Sequence, residues 1–124
     1  MPAALARRGL LPKSQVRRQT VSAVVDPGAV TLVLPEAVVK GLGLPVGEKM
    51  RVRYADGRRA RRPMAEAAYI ELLGRHDTFS AIVEPKRDTA LIGAMVLEAL
   101  DLLVDSKNQR LIPRDPSGQI FEIE

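Results

Sequence analysis

A chain of 124 residues with a net charge of +4 is long enough for one domain with a real core, and too short for two. It contains no cysteine, which excludes disulfides, thiolate nucleophiles and Cys-ligated zinc, and its single histidine, His76, excludes a His-rich metal centre. With two Phe, two Tyr and no Trp, the core must be built from Val, Leu and Ala.

The positive charge is concentrated. Arg7, Arg8, Lys13, Arg17 and Arg18 precede the first acidic residue, Asp26, and Arg51, Arg53, Arg58, Arg59, Arg61 and Arg62 are interrupted only by Asp56. Such clusters can serve nucleic acid, but solvated strand faces and a loose basic arm explain them at lower cost, so no nucleic-acid partner is expected. No apolar run approaches the ~20 residues of a membrane span, and no signal-peptide core opens the chain. A cytoplasmic protein with no membrane partner is the expectation.

In chain order, residues 1–15 show no period and read as a flexible basic arm preceding a folded domain over 16–124. Gln15 to Val25 becomes strand-like, Asp26-Pro27-Gly28 interrupts it as a turn in which Gly28 supplies φ > 0, and Ala29 to Leu34 resumes a β-branched run. Pro35 suits a first helical position, Glu36 favours the positive end of that helix, and Gly41 or Gly43 should stop it.

Glu48 to Tyr54 alternates, with Met50, Val52 and Tyr54 on one face and Lys49, Arg51 and Arg53 on the other, which describes a half-buried strand. Asp56-Gly57 is a hairpin signal, and Arg58 to Met64 returns as a basic strand that should project into solvent. Ala67 to Leu73 and Thr78 to Val83 predict a second hairpin about Gly74-Arg75-His76-Asp77, with His76 an exposed turn residue. Thr89 to Ile92 is a short strand ended by Gly93. Ala94 to Leu100 follows as a helix in which Met95, Val96, Ala99 and Leu100 can share a face. Leu102 to Val104, Arg110 to Ile112 and Gln119 to Glu124 complete the strands. The sum is a mostly β fold, a small closed barrel with one or two short helices.

The apolar runs on both sides of Asp26 place a carboxylate at the edge of a hydrophobic core, which is costly unless the group is paired or functional. At this point the sequence VVDPGAVTLVLPEAVVKGLGL, then YADGR, then ALIGAMVLEALDLLVD resembles the retropepsin-like (retroviral-type) aspartic proteases in their small bacterial form. The shared pattern is an apolar strand running into Asp-Thr/Ser-Gly-Ala, a Leu-Pro helix ending in Leu-Gly-Leu, a glycine-tipped flap and a Leu-Ile-Gly turn opening a helix. It covers roughly Val21 to Pro113.

The resemblance implies an endopeptidase acting as a homodimer on a peptide or protein substrate, with one catalytic carboxylate, Asp26, from each subunit and no metal or other cofactor. Two carboxylates in contact share one proton and titrate as a unit. Pro27, Gly28 and Ala29 would complete the active loop, with the Gly28 N–H beside the carboxylates. Tyr54, Ala55, Asp56, Gly57 and Arg58 would form the flap over the substrate, and Leu91, Ile92 and Gly93 would pack beneath the active loop. Pro27 departs from the family's Thr or Ser, and its missing hydroxyl and N–H imply impaired dimerisation or activity. A catalytically weak or inactive protease-fold peptide-binding module is the alternative. A second is a swapped-hairpin transition-regulator DNA-binding domain, which VTLVLPEAVVKGLGLPVGEKMRVRYADG also resembles.

Overall fold

A computed structural model describes residues 17–120 and 123. The expected arm over 1–15 lies outside the described residues, as do Phe121, Glu122 and Glu124 of the expected final strand; Gln119 and Ile120 are not in a strand. The elements run β1 (Ala23–Val25), β2 (Leu32–Pro35), α1 (Glu36–Leu42), β3 (Val46–Arg53), β4 (Arg59–Leu72), β5 (Arg75–Glu84), β6 (Ala90–Ile92), α2 (Ala94–Leu100), β7 (Leu102–Asp105) and β8 (Arg110–Pro113).

Six strands form one sheet in the order β1-β6-β2-β5-β4-β3, and β7 pairs with β8 in a separate hairpin. Among the described strands the ladder does not return on itself, so the fold is mostly β but the expected closed barrel is not found. The sheet has one unusual feature. β6 lies between β1 and β2, parallel to the first and antiparallel to the second, with Val25 opposite Ile92 and Val33 opposite Leu91. The chain must therefore cross the end of β6 to pass from β1 to β2, and the crossing segment contains Asp26.

Local chemistry explains the helix and turn boundaries. Pro35 closes β2 and caps α1 in an extended conformation, one position earlier than expected, and Glu36 occupies the positive end of the helix. Gly43 ends α1 at φ 66°, and the Gly43 and Leu44 N–H groups close on the carbonyls of Lys40 and Val39.

β4 is one fourteen-residue strand where the sequence suggested two. A register shift between Ala65 and Ala68, with Ala67 at φ 55°, absorbs the break in alternation as a bulge. The following turn is also tighter than expected. Leu73 and Gly74, at φ 53° and 76°, form a two-residue connection, so Arg75, His76 and Asp77 belong to β5. His76 is exposed, but on a strand opposite Glu71, its ring 5.5 Å from that of Tyr69.

The core is aliphatic: Leu32, Leu34, Val39, Ala81, Val83, Ile92 and Val96 pack with Leu100 and Leu102. The buried face of α2 is Val96, Leu97 and Leu100; Met95, expected on that face, is 55% exposed. The register follows from the start of α2, whose first N–H groups are bound by the crossing segment.

Candidate active site

The crossing segment begins with a turn. The Ala29 N–H donates to the Asp26 carbonyl at 3.0 Å, which puts Pro27 at the second position of a β-turn, where a fixed φ is favourable and no N–H is needed. Gly28 is not at positive φ, contrary to expectation. Its value lies in its missing side chain: a Cβ there would lie 3.2 Å from Asp26 Oδ1, the oxygen to which the Gly28 N–H donates at 2.9 Å. Asp26 is exposed in the single chain.

The end of β6 fixes this turn from below. The Asp26 N–H donates to the Ile92 carbonyl at 3.0 Å, and the Ala94 and Met95 N–H groups donate to the carbonyls of Ala29 and Val30 at 2.8 and 2.9 Å. Two of the N–H groups that a helix start leaves unpaired are thus satisfied by the Asp26 segment itself. Gly93 is buried between them, and a Cβ on it would fall 2.4 Å from the Thr31 carbonyl oxygen and 2.8 Å from the Thr31 nitrogen. Only glycine permits that approach of backbone to backbone. Asp26, Gly28, Ala29, Ile92 and Gly93 are therefore one hydrogen-bonded unit, with half-buried Leu91 pairing with Val24 and Val33 behind it.

Tyr54 to Arg58 cap the β3–β4 hairpin. The Tyr54 N–H donates to the Arg58 carbonyl at 2.8 Å, the Gly57 N–H to the Tyr54 carbonyl at 2.9 Å, and Gly57 takes φ 89°. Asp56 accepts from the Arg58 N–H at 3.0 Å and from its Nε at 2.7 Å; these bonds hold its carboxyl below the ordinary value. Ala55 is exposed at the tip. The Arg58 guanidinium sits 5.1 Å from the centre of the Tyr54 ring. The Tyr54 hydroxyl donates to Glu84 Oε2 at 2.6 Å, and the Arg62 Nε donates to Glu84 Oε1 at 2.5 Å. The bond to Glu84, and then burial, push the Tyr54 phenol upward. Glu84 pairs with Pro35, at the other end of β2 from the Asp26 turn. The hairpin tip is thus tethered to β5, and its hydrogen bonds do not run to the Asp26 turn.

Two features escaped the sequence reading. Glu84 was unassigned, although an acid ending an apolar strand opposite a run of arginines is a recognisable pairing signal. The second is a buried ionic cluster. Arg75 donates to the carbonyls of Leu100 and Asp101 at 3.2 and 2.8 Å and to that of Asp115, while Asp101 binds Arg114 and accepts from the Ile120 N–H at 3.2 Å. Asp101 ends α2 at φ 60°, so a carboxylate just after a helix, where Gly or Asn is favoured, was the available clue. Among the described residues no three Asp, Glu or His side chains are grouped to hold a metal ion, and no helix is long and apolar enough to cross a membrane.

This arrangement is similar to known structures. The retroviral protease-like domain of Ddi1 from Leishmania major superposes with a TM-score of 0.56 at 23% identity, over 80% of this chain and 82% of that one. No curated protein matches the sequence. The family model described as "gag-polyprotein putative aspartyl protease" matches residues 13–99, which include the Asp26 turn, the hairpin and the β6–α2 junction. The chain belongs to this retropepsin-like aspartyl protease family.

Proposed function

We propose that the protein is an aspartic-type endopeptidase whose dyad forms across a homodimer, one Asp26 from each protomer. The observation that carries this reading is the carboxylate held by the Gly28 N–H at 2.9 Å on a turn bonded to Ile92 and to the start of α2. Such a turn presents an acid at a fixed point of the surface, ready to meet a symmetry-related copy. In the dyad one carboxyl stays protonated. The ionised partner takes a proton from a water that attacks the peptide carbonyl, the protonated one donates to the carbonyl oxygen, and the leaving amine is protonated last. The Tyr54–Arg58 hairpin is the segment that would close over the substrate strand.

Pro27 favours a second reading, a peptide-binding module with little or no turnover. The turn tolerates proline, since residue 27 need not donate an N–H, but no hydroxyl is present to bond across the two-fold axis. The swapped-hairpin alternative loses its motive, because the segment it relied on is paired within one chain's six-stranded sheet. Cleavage of a peptide library at acidic to neutral pH separates the first two readings. The enzyme reading expects measurable cleavage by the wild type, loss of at least a hundredfold in Asp26→Asn, and a gain in Pro27→Thr. Stoichiometric peptide binding without turnover, unchanged by Asp26→Asn, supports the module instead.

A further inference from the structure

The β3–β4 hairpin has two chemically distinct faces. In its antiparallel register Arg51 lies directly opposite Arg61, Arg53 opposite Arg59, and Lys49 opposite Pro63. Opposed residues share a face, as do residues two apart along a strand. Lys49, Arg51, Arg53, Arg59 and Arg61 therefore form one continuous outward face, and all five are exposed. The other face carries Met50, Val52, Ala60 and Arg62, and Arg62 is neutralised by Glu84.

None of the five outward cations has an ion pair among the described residues. Nearby acids are engaged or out of the array: Asp56 holds Arg58, Glu84 holds Arg62, and Glu66 lies against Gly47 at the base of the hairpin. Glu48 falls in the irregular stretch between Val46 and Lys49. Like charges directly opposite one another destabilise a strand pair. Here two such pairs stand in succession at the open edge of the sheet. Among the described residues no acid offsets that repulsion; an external polyanion would.

We propose that this ribbon is a docking surface for the phosphate backbone of duplex DNA, separate in position and chemistry from the Asp26 turn. Four of the five groups are guanidinium forks, which match phosphate oxygens bidentately. They repeat in rows about 6.6 Å apart along the strands, and a two-stranded ribbon fits the B-form major groove, about 12 Å wide. The A-form major groove is too narrow for it. The face bears no aromatic ring on which unstacked bases could rest, which disfavours single strands. Its one apolar member, Pro63 opposite Lys49, is half-buried and too small to anchor the face in a lipid interface. The proposed contacts are to phosphate oxygens, which carry no sequence information, so binding is sequence-tolerant.

The test is fluorescence anisotropy of the full-length protein with labelled 20-base-pair duplexes of two unrelated sequences, across a salt series. Five phosphate contacts predict a log–log salt slope of about −4.5 for each duplex. The R51Q/R61Q variant should lower its magnitude by about 2, while R51K/R61K keeps it. Because R51Q/R61Q removes a repulsive pair, its thermal midpoint should not fall, which separates lost docking from lost fold. The proposal is overturned by a slope unchanged in R51Q/R61Q, which would assign the contacts to other cations. It is equally overturned if polyglutamate, or vesicles containing phosphatidylserine, bind as tightly as DNA at matched salt.

Discussion

At the scale of single residues, two glycines and a proline define the candidate site. Gly28 gives the Asp26 carboxylate room and a donor, and Gly93 lets the junction of β6 and α2 lie against the backbone of Thr31. Gly93→Ala would drive a methyl into backbone atoms that cannot rotate away. We expect it to cost about 1–3 kcal/mol in denaturant unfolding. Because the displaced segment carries Asp26, the proposed proteolytic activity should fall further than the lost stability accounts for. Gly28→Ala meets only a side-chain oxygen at 3.2 Å, so its stability cost should be smaller. Unfolding midpoints of the two variants check the ranking. The sequence announced both glycines through the motifs around them, but it assigned Gly28 the wrong reason. Turn preference suggested positive φ, whereas the space needed by the neighbouring carboxylate explains the residue.

At the scale of elements, the two helices and the Asp56-Gly57 turn were legible because capping and turn chemistry is local. Gly43 ends α1, and Asp56-Gly57 turns the β3–β4 hairpin. What was not legible depended on partners far along the chain. The bulge at Ala67 keeps β4 continuous only because β5 pairs with both of its halves, and His76 became a strand residue when Leu73 and Gly74 made the turn shorter.

The Arg75–Asp101–Arg114 cluster is of the same distant kind, since it joins β5, the end of α2 and the segment after β8. Burial pushes the Asp101 carboxyl upward, but bonds from Arg114 and the Ile120 N–H, with the charges of Arg114 and Arg75, outweigh it and hold the group below its ordinary value of 3.8. The unfolded chain therefore binds this proton more readily than the folded one. The stabilisation is complete above about pH 4 and is lost as the pH falls through the lower folded value. Asp101→Asn keeps a residue that tolerates φ 60°, so it isolates the charge: stability should drop at pH 7 and decline less steeply between pH 4 and pH 2. Urea unfolding at a series of pH values reads both effects. Arg75→Met leaves three carbonyls short of a donor and should cost about 1–3 kcal/mol at neutral pH.

At the scale of the whole molecule, most cations precede Pro63 and most carboxylates follow it, so the ribbon edge of the sheet is the basic one. The Asp26 turn lies toward the opposite edge, where β1 and β6 stand, and the segments joined to it expose apolar side chains. Val30 is 67% exposed, and Val24 and Met95 are 48% and 55% exposed. Val30 is joined to Met95 through the backbone, so the two side chains project from one rigid junction beside the candidate catalytic acid. In the proposed dimer this patch is the surface a second copy would cover, and its burial must supply what Pro27 withholds from the loop-to-loop contact. Val30→Asp would place two carboxylates near the axis of such a dimer at a position that bears no core packing in the single chain. We expect sedimentation to show the variant as monomer at concentrations where the wild type associates, and cleavage to vanish with the dimer. The unfolding midpoint of the dilute protein should change little, because Val30 is mostly solvated already. Pro27→Thr should act in the opposite direction, tightening association and raising activity at low protein concentration. A Val30→Asp protein that still cleaves peptide as a monomer would disprove a dyad shared between two chains, and would move the second acid onto the same subunit as Asp26.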